Sequence, residues 1–119
     1  EPDTPLARAS LLARATAVLD PFPMSTTVTA FEALAVDAPV VTLPRQQAAP
    51  QIAAGLYRHM GETRLLAHNV SHYAELAARL GTDGAWRREV VESIARLKRR
   101  VFGDRHSVRE WQRFLYRVL

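Results

Sequence analysis

The sequence has no cysteine. That excludes disulfides, thiolate metal sites and a cysteine nucleophile, and it fits a reducing compartment such as the cytoplasm or nucleus. No apolar run approaches the roughly 20 residues needed to cross a bilayer, so no membrane is expected among the partners. The opening stretch, EPDTPLARAS, lacks the basic-then-apolar order of a secretory signal and reads as an interior piece of a longer polypeptide. The histidines, His59, His68, His72 and His106, fall at no metal-ligand spacing, and no metal is expected to be required. There is no strained nucleophile elbow of the kind a Ser-His-Asp site needs, no internal repeat and no low-complexity tract.

What is present is enough for one small globular domain: 119 residues, of which 48% are hydrophobic. The net charge of +4 is unevenly spread. Residues 84–119 hold ten Arg/Lys against four Asp/Glu, whereas residues 1–83 carry a small acidic excess. A basic end can meet phosphate, nucleic acid or an acidic surface, but a solvated helix face is the simpler account. No recognition motif supports nucleic acid, and the aromatics do not alternate with the basic residues.

Hydrophobic spacing gives an alternating order of elements. Leu6 to Ala15 reads as a helix, and Ala17 to Leu19 as a short strand stopped by Asp20-Pro21. Thr27 to Val36 is a helix, with Asp37 at its end in a position that favours left-handed backbone. Val40 to Leu43 has the continuous β-branched character of a parallel strand covered on both faces. A helix over Gln46 to Met60, starting near Pro50 if the proline sits in its first turn, stops at Gly61. Arg64 to Ala67 is a candidate third strand. Ser71 to Leu80 is a helix with Ser71 as its expected N-cap, and Asp83 caps the next, in which Val90, Ile94, Leu97 and Val101 repeat at helical spacing. After Gly103-Asp104 a last helix carries Val108, Trp111, Leu115 and Val118. Trp86, Trp111, Phe114 and Tyr116 are expected to pack in the core or between helices. The fold class is therefore α/β: a partial doubly wound, Rossmann-like parallel sheet of two or three strands with C-terminal helices. Residues 1–83 form the α/β segment and residues 84–119 a helical extension packed on the same domain.

The chemistry concentrates between Asp20 and Pro44. A strand ends at a proline-rich turn, small hydroxyl residues open a helix carrying a lone glutamate, and a second buried strand follows. Such a layout can hold a diphosphate at the helix N-terminus and a ribose one turn later. Ser25, Thr26, Thr27, Val28 and Thr29 occupy the step where backbone N–H groups are unpaired and carry partial positive charge. From spacing alone, a simple helix cap by Ser25 or Thr26 explains the hydroxyls as well. Glu32, one turn on, can accept hydrogen bonds from two ribose hydroxyls. Asp20, at the end of the first strand, is suited to shape the loop as an Asx turn does. Arg45, after the second strand, supplies a cation for a leaving diphosphate, or is an exposed loop residue.

The segment LDPFPMSTTVTAFEALAVDAPVVTLP resembles the C-terminal catalytic lobe of the O-linked N-acetylglucosamine transferase family, whose members are GT-B glycosyltransferases. The shared pattern is Leu-Asp-Pro-Phe-Pro, a step into a helix, an acidic-Ala-Leu triplet, a Pro-Val-Val strand and Leu-Pro. Looser matches continue at Gly55-Leu56-Tyr57-Arg58, Met60-Gly61, Tyr73, Leu76-Ala77 and Leu80-Gly81-Thr82-Asp83. The chain departs from the family where relatives place glycines at about Ser25 to Thr27, and where Val28 replaces a threonine. Side chains thus stand where backbone approaches phosphate closely in those relatives.

The resemblance implies the donor-binding part of an enzyme that transfers a sugar, N-acetylglucosamine the leading candidate, from a UDP-sugar to a protein or glycan hydroxyl. It implies a nucleotide-sugar site at Ser25, Thr26, Thr27, Val28, Thr29, Glu32 and Arg45; Arg8 falls where some relatives have a base-stacking histidine, but a helix-surface arginine is the simpler account. It also implies that the catalytic base lies in a missing N-terminal lobe, with or without helical repeats before it. The chain alone is then expected to be inactive. The competing reading is a non-catalytic binding or scaffold module derived from the same GT-B fold, motivated by the missing glycines.

Overall fold

A computed structural model describes residues 4–45 and 51–119. Helix α1 (Pro5–Ala13) opens on Thr4, whose hydroxyl accepts from the Ala7 N–H at 3.2 Å, with Pro5 in the first turn where its missing donor costs nothing. Strand β1 (Val18–Leu19) follows, then α2 (Val28–Ala35) and β2 (Val40–Val41). The two strands pair in parallel, Val18 with Val40 and Leu19 with Val41. Between α2 and β2 the backbone turns through Asp37 at φ 63°, the left-handed residue that the sequence implied. The Lys98 ammonium donates to the Ala35 carbonyl at 2.8 Å and lies 2.7 Å from an Asp37 carboxylate oxygen, so it closes the C-terminus of α2.

The third strand is reduced to one bridge. Thr42 pairs with Leu66, the Thr42 N–H donating to Leu65 and its carbonyl accepting from Ala67. The Leu66 N–H is turned back onto the Thr63 carbonyl, which leaves residues 64–67 as a turn rather than the strand expected there. Two residues back, Val40 has no strand partner on that side. The buried Tyr57 hydroxyl accepts from its N–H at 2.8 Å instead.

Helix α3 (Ile52–Met60) ends at Gly61 with φ 83°. The helix expected from Gln46, or from near Pro50, thus starts at Ile52 within the described residues; residues 46–50 lie outside them. Helix α4 (Val70–Thr82) is capped not by Ser71 but by Asn69, whose side chain accepts from the His72 N–H at 2.8 Å, while Ser71 turns to Glu75. Asp83 caps α5 (Gly84–Leu97) as expected, accepting from Trp86. A 3-10 turn at Lys98–Arg100 leads to α6 (Arg105–Val118).

The core lies around β2, with Leu34 of α2, Tyr57 and Met60 of α3, Leu80 of α4, and Val90 and Ile94 of α5 all essentially inaccessible. Val40 and Val41 are covered on both faces, as continuous β-branched character requires. Trp86 packs against this core. Trp111, Phe114 and Tyr116 do not, at 66%, 54% and 87% exposed, and α6 has no buried residue. The helical period of α6 was readable. What its apolar face meets was not, because amphipathicity reports a face and not its partner.

Candidate functional site

In a parallel βαβ arrangement the strand carboxyl ends and the following helix starts share one edge, where ligands of open α/β sheets bind. Asp20 and Thr42 mark that edge here. They line a small notch together with Phe22, Ser25, Arg45 and Gln51.

Helix α2 begins at this edge without a side-chain cap. Thr27, its N-cap, has φ −84° and ψ −62°, already helical, so its hydroxyl does not bond the first-turn amides. Helix α3 likewise has no side-chain cap at Gln51, whereas α1, α4, α5 and α6 are each capped, by Thr4, Asn69, Asp83 and Asp104. The opening N–H groups of a helix have no intrahelical acceptor. At α2 they belong to residues next to the exposed Thr27 and to Val28, 62% exposed. The Val28 side chain stands in solvent, and Thr29 is half-buried.

Ser25 and Thr26, the alternative caps, face Asp20. The Ser25 hydroxyl lies 2.8 and 3.0 Å from the two Asp20 carboxylate oxygens, and the Thr26 N–H donates to Asp20 Oδ1 at 3.0 Å. The Thr42 hydroxyl donates to Asp20 Oδ2 at 2.7 Å. Asp20, 3% exposed, is therefore a richer version of the Asx turn expected of it. One backbone donor of the loop, that of Thr26, is committed to it.

Glu32 sits one turn into α2, 2.9 Å from the Arg8 guanidinium of α1. The pair is partly exposed, 44% at Arg8 and 23% at Glu32. Arg45 is exposed and lies over the Phe22 ring at 5.1 Å from its centroid, with its carbonyl accepting from the Gln51 amide. Phe22 in turn meets Tyr73 edge-to-face at 5.3 Å, and the Tyr73 hydroxyl donates to the Asp20 carbonyl at 3.0 Å. Burial, with the Asp20 charge nearby, pushes the Tyr73 phenol pKa up, so it is a neutral donor.

A model of the family described as glycosyl transferase family 41 matches residues 12–112, which include every residue of this edge. The chain belongs to glycosyl transferase family 41. Solved structures match this family 41 chain as well. One is a mutant of the Thermobaculum terrenum O-GlcNAc transferase, with a TM-score of 0.75 and 29% sequence identity over 91% of this chain and 22% of that one. The family 41 chain thus spans about a fifth of that enzyme's length. No curated protein matches it.

Within this family 41 segment the fold brings Asp20, Ser25–Thr29 and Arg45 to one sheet edge, with Glu32 a turn further along α2. Three contributors escaped the sequence reading: Thr42, Phe22 and Tyr73. Thr42 carried a faint signal, a hydroxyl inside an otherwise apolar strand, since a buried hydroxyl requires a partner. Phe22 meets Arg45 across 23 positions and Tyr73 meets Phe22 and Asp20 across about fifty, separations that no local pattern reports.

Proposed function

We propose that the chain is the donor-binding part of a glycosyltransferase that takes a sugar from a UDP-sugar, N-acetylglucosamine the leading candidate, and passes it to a protein or glycan hydroxyl. The observation that carries this is the uncapped start of α2 at the carboxyl edge of a parallel sheet, in a chain of glycosyl transferase family 41. In this reading the diphosphate accepts from N–H groups and hydroxyls across Ser25, Thr26, Thr27, Val28 and Thr29, Thr26 through its hydroxyl because its amide serves Asp20. Arg45 supplies positive charge to the leaving diphosphate, so no metal is needed for that task. Glu32 takes the ribose hydroxyls. The Arg8 pair is a small obstacle: partly exposed ion pairs contribute about 0–1 kcal/mol, less than charge-assisted ribose hydrogen bonds at about 1.5–3 kcal/mol each.

The acceptor site and the catalytic base belong, in this proposal, to sequence outside these 119 residues, in an N-terminal lobe of the same polypeptide, and the setting is cytoplasmic or nuclear. A non-catalytic binding module of GT-B ancestry is the second reading, favoured by one observation: Val28 and hydroxyl side chains occupy the step at which close phosphate approach suits glycine. Calorimetry with UDP on the full-length protein tests the assignment. Glu32→Ala is expected to weaken UDP by about tenfold or more. Equal affinity for the variant and the parent removes Glu32 from the site, and sugar transfer by the full-length protein excludes the second reading.

A further inference from the structure

One of the two most buried polar side chains at the sheet edge is one that no donor contact requires. Asp20 is 3% exposed, yet its carboxylate receives the Ser25 hydroxyl, the Thr26 N–H and the Thr42 hydroxyl, with the Thr26 hydroxyl at 3.4 Å. Its backbone is fixed as well: the N–H donates to Val41 at 2.9 Å and the carbonyl accepts from Tyr73 at 3.0 Å. Asp20 therefore joins β1, β2, α4 and the loop before α2 at one point. A negative charge here opposes a bound diphosphate, so the residue does not serve by attraction. What it does is engage the Ser25 hydroxyl, whose oxygen otherwise competes to cap α2, and fix the loop backbone through the Thr26 N–H. With Ser25 held at Asp20, Thr27 enters the helix with no cap bond, and the first-turn N–H groups stay open.

We propose that Asp20 is a positioning residue for donor binding: it holds the Ser25 hydroxyl off the α2 N-terminus and fixes the Thr26 backbone, so that the first-turn amides are kept free and aimed outward for the diphosphate. The inference rests on the donor reading above and adds to it a residue that touches no substrate atom.

The test compares UDP with uridine, which lacks the phosphates, by calorimetry on the full-length protein. The parent is expected to bind UDP at least about tenfold more tightly than uridine. Asp20→Ala is expected to erase most of that ratio while uridine affinity is unchanged, because the loop hydroxyls are released onto α2. Asp20→Asn is expected to preserve the ratio: its carbonyl still accepts from Thr26, and the Thr42 hydroxyl can reverse and accept from the amide. If Asp20→Ala fails to fold, Thr42→Val, which removes one bond that fixes the Asp20 carboxylate while leaving the Ser25 hydroxyl in place, should lower the ratio about threefold. An Asp20→Ala protein that keeps the parent ratio overturns the role, as does one that loses UDP and uridine equally. A parent that binds UDP no better than uridine overturns the anion site itself, a failure distinct from that of Asp20 alone.

Discussion

Tyr57 does at the scale of one residue what a missing strand does elsewhere. It is fully buried, and its hydroxyl accepts from the Val40 N–H, an amide that faces away from β1. Burial is the main reason its phenol is held well above the ordinary value, with the nearby carboxylates adding to the effect against the Val40 hydrogen bond. Tyr57→Phe keeps the ring and strands that amide. The expected cost is about 1–3 kcal/mol in denaturant unfolding. Glu62, 3% exposed, gives a pH signature. Burial raises its pKa, but the Arg64 guanidinium, bonded to both carboxylate oxygens at 2.9 and 2.8 Å, outweighs it together with the Ser93 hydroxyl and the Arg64 N–H, and the net shift is downward from 4.5. A depressed carboxylate contributes stability that is present above its unfolded value and lost as pH falls through the folded one. Unfolding curves collected from pH 7 down to pH 3 should therefore decline through and below about pH 4.5 in the parent and more shallowly in Glu62→Gln, which starts less stable at pH 7. Parallel curves for the two proteins remove Glu62 from the acid response.

At the scale of elements, helix ends carry the most information. Gly61 ends α3 at φ 83°, where its N–H and that of Glu62 both donate to the Tyr57 carbonyl. A Cβ there stands 3.1 Å from the Arg100 guanidinium, which itself holds the Met60 carbonyl at 2.8 Å. Gly61→Ala therefore meets both a left-handed backbone and a fixed neighbour, and about 1–2 kcal/mol of stability should be lost, read as a lower thermal midpoint. A midpoint equal to the parent's means that α3 can end another way. The same stop was legible in the sequence, as were the left-handed Asp37, the Asp83 cap and both central strands, because each follows from the conformational preference of one residue or from a short apolar run. The Asn69 cap was misplaced by two residues, since Asn69 and Ser71 are equally good acceptors and only the entry angle of the chain decides between them. The candidate third strand failed for a different reason: a short apolar run at residues 64–67 does not reveal that Thr63 captures the Leu66 N–H. At the site, the sequence reading anticipated the edge and the role of Asp20. It missed the tie to Thr42, 22 positions away, and the one to Tyr73, 53 positions away.

For the molecule as a whole, the described residues divide by burial rather than by chain order. Helix α5, basic and amphipathic, supplies Val90 and Ile94 to the core, and its Arg87 guanidinium donates to the Thr16 and Ala15 carbonyls just before β1. Helix α6, more basic still, has no buried residue; its Trp111 and Phe114 contact each other edge-to-face at 6.0 Å. Stability follows apolar area removed from water, and α6 removes little. Deletion of residues 104–119 from the 119-residue chain should thus shift the free energy of unfolding by less than about 1 kcal/mol, within the range of surface changes. Tryptophan emission gives an independent readout of the same deletion. The chain has two tryptophans, Trp111 in solvent and Trp86 packed on the core beneath the Arg79 guanidinium at 4.2 Å. The shortened chain keeps only the second, so its native spectrum should move to shorter wavelength while its unfolding midpoint holds. A midpoint that falls by many degrees, with cooperativity reduced, makes α6 part of the folding unit and contradicts the exposure of its apolar face.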